Sequence, residues 1–289
     1  MRLFAFGLGY SALSVIARGS DVEASGTVRA PAAAAALRRD GTDAFAFDGA
    51  SWDEGLKAAL ARAQVLLISA PPGADGDPAL RAFAPEIASA SGLRRIVYLS
   101  TIGVYGDWSG GWIDETSPTR TTSPRGLARL AAEARWRDLG AARGVAVDVL
   151  RLAGIYGPGR NALVKLREGD ARRIVKPGQI FNRIHVHDIA GVVWRLVAAG
   201  GPGAVWNVAD EEPAPAQDVI AYAATLLGME TPPEEPFEGA VMSPMARSFY
   251  EDNRRARIDK LKRELGYAWL YPTYRKGLRA LAEAGEGRS

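Results

Sequence analysis

The sequence predicts an α/β protein: a doubly wound parallel sheet with a small C-terminal lobe. Three observations predict it. Short apolar runs alternate with amphipathic stretches from Leu3 to Leu152, which is the pattern of a parallel sheet covered on both faces. The first run, Leu3–Phe6, breaks into Gly7-Leu8-Gly9-Tyr10-Ser11-Ala12, and apolar residues then recur at helical spacing at Leu13, Ile16 and Ala17. Beyond Leu152 the regularity drops, which marks off the second lobe.

Each element has its own reason. After the first strand and helix, Val22–Val28 reads as the second strand and ends at Arg29. Ala32–Arg39 is an alanine-rich helix that follows Pro31, a residue suited to a helix start. Phe45–Phe47 is a short third strand closed by Asp48, and Trp52–Arg62 is a helix. Val65–Ser69 is a buried fourth strand that runs through Ala70 into Pro71-Pro72-Gly73. Pro78–Ser91 is helical, Arg95–Ser100 is the fifth strand, Leu127–Leu139 a strong helix and Val145–Leu152 the sixth strand. In the lobe, Gly154–Arg160 reads as a loop, Leu163–Arg167 as helical and Ile174–His185 as short extended pieces. Asp188–Ala199 is a helix with Asp188 as its N-cap. Ala204–Val208 is a further strand, and Gln217–Leu227, Arg257–Leu265 and Tyr274–Ala284 are helices. Thr231–Pro236 is expected to be a mobile loop and Gly285–Ser289 a frayed tail.

Composition narrows the function. With 289 residues and 47% hydrophobic content, the chain can build a full core. There is no cysteine, so disulfides, thiolate metal sites and cysteine nucleophiles are excluded, and only His185 and His187 are present for a histidine site. No metal is expected. The 36 basic and 33 acidic residues nearly balance, which argues against a nucleic-acid partner. The uncharged run from Arg2 to Arg18 mimics a signal peptide, but its glycines interrupt it and no A-x-A exit follows. It is also too short to span a bilayer. A soluble, cytoplasmic protein is the expectation.

The turn after the first strand has the form G-x-G-x-x-A, with a small residue in its third position. In a strand–turn–helix this is the dinucleotide fingerprint: glycines for a tight turn and close approach, amides at a helix N-terminus for the phosphates. Glycine pairs also mark ordinary turns. The candidate cofactor residues are Gly7, Gly9, Tyr10, Ser11 and Ala12, with Ser69, Ala70 and Pro71 at the end of the fourth strand. Twenty positions after Gly9, where NAD enzymes carry an acidic residue, stands Arg29. An arginine there forks onto a 2′-phosphate, so NADP is expected over NAD; the alternative is an exposed surface arginine. Asp48 is placed to accept from the adenine amino group, or simply to form a turn.

A buried strand running into Leu99-Ser100-Thr101-Ile102-Gly103-Val104-Tyr105-Gly106 delivers Ser100 and Thr101 to the carboxyl end of the sheet, where such folds bind ligands. Together with GIYGPGR at 154–160 and RIHVHDIA at 183–190, this segment resembles the extended short-chain dehydrogenase/reductases, the NAD-dependent epimerase/dehydratase family. The resemblance implies a seven-stranded Rossmann domain over 1–153, with a return strand and helix near 184–210, and a smaller substrate lobe over 154–289. It implies that Thr101 hydrogen-bonds the reacting oxygen of the substrate and that Ser100 lies at the cofactor. A homodimer through the helices after the fourth and fifth strands is the partner it implies.

The family's YxxxK pair is missing. Aligning its trailing A-A-E on Ala131–Glu133 puts Arg125 at the tyrosine and Arg129 at the lysine, as in the atypical branch of the family. Arginine keeps its proton in a protein, so Arg125 is no general base, whereas Arg129 could still hold the ribose. One turn apart on one helix face, the two either clamp an anion or serve locally, Arg125 capping and Arg129 pairing with Glu133. Tyr105 and Tyr156 are the candidate proton donors, each also readable as a packing tyrosine. Asp107, Asp114 and Glu115 are further acid/base candidates, each also readable as a solvated loop carboxylate, and His185 reads as structural. Asn182 and Arg183 are candidate substrate contacts. Two functions fit: an NADP-dependent oxidoreductase or epimerase-like enzyme on a polar, nucleotide- or sugar-like substrate, with a non-standard catalytic set, or a non-catalytic NADP(H)-binding sensor.

Overall fold

In the computed structural model, which describes residues 1–287, seven strands form the central sheet. They are β1 (Arg2–Phe6), β2 (Glu23–Val28), β3 (Asp43–Ala46), β4 (Val65–Ile68), β5 (Arg95–Thr101), β6 (Ala146–Leu152) and β7 (Val205–Val208). Their order across the sheet is β3-β2-β1-β4-β5-β6-β7. The chain therefore starts mid-sheet, winds outward, then returns past β1 and winds out the other way, with a switch point between β1 and β4. Parallel register pairs Leu3 with both Ala24 and Val65, and Leu66 with Ile96. Every residue of β4 is buried, as expected for a strand with helices on both faces.

Contacts divide the chain into two compact units, each discontinuous in sequence. The first comprises Met1–Val104, Thr122–Arg151 and Ile189–Trp206 and holds most of the sheet. Phe6, Phe47 and Phe83 interlock in its core, with ring centroids 5.1 to 6.2 Å apart. Trp136, fully buried, donates its indole N–H to Asp77 at 3.0 Å, and the other oxygen of Asp77 caps the helix Pro78–Ser89 through the amides of Ala79 and Leu80. The second unit comprises Tyr105–Thr121, Leu152–Asp188 and the chain from Asn207 onward. Its core gathers Tyr156, Leu163, Ile220, Ala223, Tyr274 and Leu278.

Several boundaries differ from expectation, each for a physical reason. The helix expected over 52–62 is only Leu56–Ala61, because Gly55 turns left-handed at φ +90° and Trp52 instead bridges Phe47. The helix expected over 127–139 runs from Pro124 to Arg143, begun by the Ser123 cap with Pro124 in its first turn and ended at Gly144. Gly154–Tyr156 is not loop but strand, paired in parallel with Arg183–His185. Thr231–Pro236 is not free, since Glu234–Pro236 pairs with Arg173–Val175 and Arg173 reaches Glu234 at 2.9 Å. The expected helix over 257–265 shrinks to Leu261–Leu265, after Arg255–Ala256 pairs with Trp112–Ile113. Of the tail expected to fray, Glu286 donates to Leu281 and its carboxylate accepts the Gly159 amide at 2.8 Å. Arg288 and Ser289 lie outside the described residues. Among the described residues no helix is long and apolar enough to cross a membrane.

Candidate cofactor site

The glycine turn closes β1 against β2 and β4. Gly7 sits at φ +92°, and a Cβ there would stand 2.9 Å from the Ala70 amide nitrogen, so only glycine fits. Its own amide donates to Thr27 Oγ1 at 3.0 Å, and Leu8 N–H donates to the Thr27 carbonyl at 2.6 Å. The amides of Ser69 and Ala70 both donate to the Phe6 carbonyl, at 2.9 and 2.8 Å. This draws the end of β4 alongside the turn, so Ser69, Ala70 and Pro71 stand next to the glycines.

Gly9 is the N-cap of the helix Tyr10–Arg18 and supplies no side chain to the first turn. A Cβ built on it would meet nothing within 4 Å. The helix N-terminus thus faces open space, with Ser11 and Ala12 buried behind it. That combination, one glycine forced by contact and one bordering free space, fits a bound pyrophosphate.

Arg29 follows β2 directly and is exposed; among the described residues its side chain makes no hydrogen bond or ion pair. Arg38, by contrast, is used by the fold, donating to the Ala44 carbonyl and to Asp53. Asp48 serves its own turn: one carboxylate oxygen accepts the amides of Ala50 and Ser51 at 2.9 and 2.8 Å. These amides, Ser51 first, hold its carboxyl below the usual range.

At the end of β5 the two hydroxyls part company, because successive strand residues face opposite sides. Ser100 is buried and donates to Glu133 at 2.5 Å. Glu133 in turn accepts from Arg151, through Nη2 at 2.8 Å and Nε at 3.3 Å. The Ser100 hydroxyl is therefore held inside a buried triad, which corrects its expected place at the cofactor. Thr101 is half-buried, and its Oγ1 accepts the Gly103 amide at 3.0 Å, leaving the hydroxyl hydrogen to donate elsewhere. Arg129 does not pair with Glu133. Its Nη1 donates to the Leu99 carbonyl at 2.7 Å and to the Tyr98 hydroxyl at 3.3 Å. Burial pushes the Tyr98 phenol up to about 12. Arg125 is exposed in the first helical turn behind the Ser123 cap; Ser123, not Arg125, does the capping.

In the second unit the remaining candidates are buried or hydrogen-bonded within the unit. Tyr105 is fully buried and donates to Asn207 Oδ1 at 2.8 Å. Tyr156 packs edge-on to His185, with ring centroids 5.1 Å apart. Its hydroxyl, buried without a partner among the described residues, lies where a Cβ on Gly277 would collide with it. Burial first, then the carboxylates of Asp210 and Asp188, raise its pKa, the wrong direction for a proton shuttle. Asn182 is committed at both ends, accepting from Ala256 N–H at 2.8 Å and donating to the Arg254 carbonyl at 2.9 Å. Arg183 donates to the carbonyls of Phe181 and Ala214 at 3.0 and 2.9 Å. His185 is structural as expected: its Nδ1 accepts the His187 amide, and burial followed by the neighbouring His187 pushes it down to about 3. Of the loop carboxylates, Asp107 and Asp114 accept nearby amides. Glu115 is half-buried rather than freely solvated: burial raises its pKa, and it accepts the Asn207 amide at 2.8 Å.

The sequence missed Thr27, Glu133 in its buried role, and Asp188. The helix begins at Val186, so Asp188 is in its first turn rather than at its N-cap. Its buried carboxylate accepts from the Tyr267 hydroxyl and the amides of Leu270 and Tyr271 at 2.8 to 3.0 Å.

The model of the NAD dependent epimerase/dehydratase family matches residues 84–209, a span that carries β5, Arg125 and Arg129 of the 124–143 helix, and Asn182-Arg183. The chain belongs to the NAD-dependent epimerase/dehydratase family. Among solved structures, this family member is similar to a functionally unknown conserved protein from Silicibacter pomeroyi DSS. The identity is 44%, 99% of each chain is covered and the TM-score is 0.86. It is 29% identical over 203 residues to Protein YeeZ of Escherichia coli strain K12, covering 65% of this chain and 62% of that one. The match thus spans less than two thirds of the length of that curated relative. A 3-diazoavenalumate denitrifying reductase from Streptomyces sp is 28% identical over 209 residues, 67% of this chain and 66% of the other.

Proposed function

We propose that this epimerase/dehydratase-family member binds NADP(H) on its first unit and uses it as an oxidoreductase on a small polar substrate. The observation that carries the reading is Arg29: an exposed guanidinium without a partner among the described residues, twenty residues past Gly9 and at the end of β2. Such a group is suited to a 2′-phosphate and not to the free ribose hydroxyls of NAD. In this reading the first-turn amides of Tyr10, Ser11 and Ala12 hold the pyrophosphate, and Ser69, Ala70 and Pro71 flank it. Asp48 retains one carboxylate oxygen for the adenine, Thr101 donates to the reacting oxygen of the substrate, and Arg129 takes the place of the ribose-holding lysine. Reduction is favoured over epimerisation because epimerisation needs a group that takes up and returns a proton, and arginine does neither. A relative whose name is a reductase supports the same choice.

Calorimetric titration with NADP(H) and NAD(H) tests the cofactor. The reading expects tighter binding of NADPH, weakened at least about tenfold by Arg29→Asp, a loss of about 1.4 kcal/mol. Equal binding of both dinucleotides, unchanged by the substitution, would refute the preference. A second reading, a sensor that binds NADP(H) without turnover, is favoured by Arg125 and Arg129 standing where a tyrosine and a lysine would act. Cofactor binding without NADPH oxidation across a broad panel of carbonyl compounds would establish it.

A further inference from the structure

Two side chains of the first unit, Thr101 and Arg129, belong to the carboxyl end of β5, and a third, Arg125, lies one helical turn from Arg129. Arg129 is pinned there by the Leu99 carbonyl and the Tyr98 hydroxyl. Thr101 follows two residues after Leu99, its oxygen committed to the Gly103 amide and its hydrogen left to donate. Arg125 lies one helical turn before Arg129, in the exposed first turn of the 124–143 helix. These three groups share one property: each is a hydrogen-bond donor that keeps its proton near neutrality. The phenol at the same strand end, Tyr98, is buried and engaged with Arg129. Donors of this kind, two of them cationic, stabilise a developing anion but do not hand it a proton.

Resting on the oxidoreductase reading above, we infer that the substrate is a conjugated carbonyl compound of the enone class, reduced at its carbon–carbon double bond. Reduced dinucleotide supplies the hydride: one C–H bond of the nicotinamide breaks and one forms at the β-carbon of the substrate. The π pair of the double bond shifts toward the carbonyl, leaving an enolate oxygen that Thr101 and the guanidinium groups hold by hydrogen bonds. Water then protonates the α-carbon and leaves as hydroxide, so atoms and charge balance without a titrating side chain. A saturated ketone would instead give an alkoxide, a much stronger base, whose formation calls for a protein acid. The donor set therefore selects acceptors whose hydride adduct is a weakly basic anion.

The test has a spectroscopic arm and a kinetic arm, both on the full chain. In the first, nitrophenol is titrated against pH in the presence of protein saturated with NADP. Its phenolate stands in for the enolate, and its ionisation should become easier by about tenfold relative to buffer, one unit of pKa. Arg129→Gln and Thr101→Val should each abolish most of that shift. Arg125→Gln, at an exposed position, is the variant that keeps the test valid if Arg129→Gln fails to fold. In the second arm, cyclohexenone and cyclohexanone are offered with NADPH. Only the enone should be consumed, and Arg125→Gln should slow it about a hundredfold with NADPH affinity by calorimetry within twofold of the parent; Arg129→Gln should slow it as much and also weaken NADPH binding. Nitrophenol ionising as it does in buffer, an untouched enone, or a saturated ketone reduced as fast as the enone would each overturn the inference. If NADPH binds normally in those cases, the cofactor reading survives alone; if calorimetry finds no NADPH binding, both fall together.

Discussion

Glu133 Oε2 accepts from Arg151 Nη2 at 2.8 Å, with both side chains less than a tenth exposed. The pair ties the 124–143 helix to the end of β6, and the Ser100 hydroxyl adds the end of β5 to the same carboxylate. Removing one partner of such a pair leaves an uncompensated buried charge, whereas replacing both by apolar groups of similar volume does not. Glu133→Ala should therefore cost about 3–5 kcal/mol in urea unfolding, and a double replacement of Glu133 and Arg151 by Leu and Met should recover most of it. Equal losses in the single and double variants would show that the carboxylate matters through something other than Arg151.

The two glycines of the turn make opposite predictions. Gly7 is left-handed and crowded by Ala70, so Gly7→Ala should cost about 1–3 kcal/mol of stability, read as a fall in urea midpoint. Gly9 has φ −96° and open space beyond it, so Gly9→Ala should melt close to the parent. Its methyl group instead enters the space proposed for phosphate, and NADPH binding should weaken about tenfold or more, roughly 1.4 kcal/mol. An unfolded Gly9→Ala with a stable Gly7→Ala would reverse the assignment of the two residues.

His185 makes stability depend on pH in a stated direction. Its pKa falls from 6.5 to about 3 in the folded protein, by burial first and His187 second. The unfolded state therefore binds a proton that the folded state refuses. This group contributes fully above about pH 6.5, and stability falls progressively as pH drops from there toward 3. The loss is a few kcal/mol at most, at about 1.4 kcal/mol per unit. Urea midpoints at neutral pH and at about pH 5 should diverge in the parent and converge in His185→Gln, once each is referred to its own neutral value. An identical slope in the variant would assign the pH dependence to the carboxylates.

What the sequence made legible was what local chemistry decides. The glycine turn, the strand before it and Arg29 at the end of β2 are fixed by spacing along a few dozen residues, and the parallel, doubly wound sheet follows from the alternation. The site residues that escaped are those whose partners lie far off in sequence. Glu133 is four residues after Arg129, the spacing of a helical ion pair, yet burial turns it to Arg151 and Ser100. Asp188 has the composition of an N-cap, but the amides it accepts are those of Leu270 and Tyr271. Thr231–Pro236 looks like loop because its strand partner is Arg173–Val175, and Ser100 looks like a site residue because the strand face it occupies cannot be read without knowing the register.

Tyr105 and Tyr156, alike in the sequence as candidate phenols, should respond differently to loss of the hydroxyl. Tyr105 donates to Asn207 Oδ1 in a fully buried setting, so Tyr105→Phe strands a buried acceptor. Leaving such a group unsatisfied costs about 1–3 kcal/mol. The Tyr156 hydroxyl is buried without a partner among the described residues, so Tyr156→Phe removes an already unsatisfied group and should leave stability unchanged or raise it slightly. Thermal unfolding of the two variants checks both. Neither substitution should alter NADPH affinity by calorimetry, because the proposed dinucleotide contacts are all in the first unit. A variant that melts as the parent does but loses NADPH oxidation would instead identify its phenol as the proton donor, and would overturn the inference that water supplies the proton.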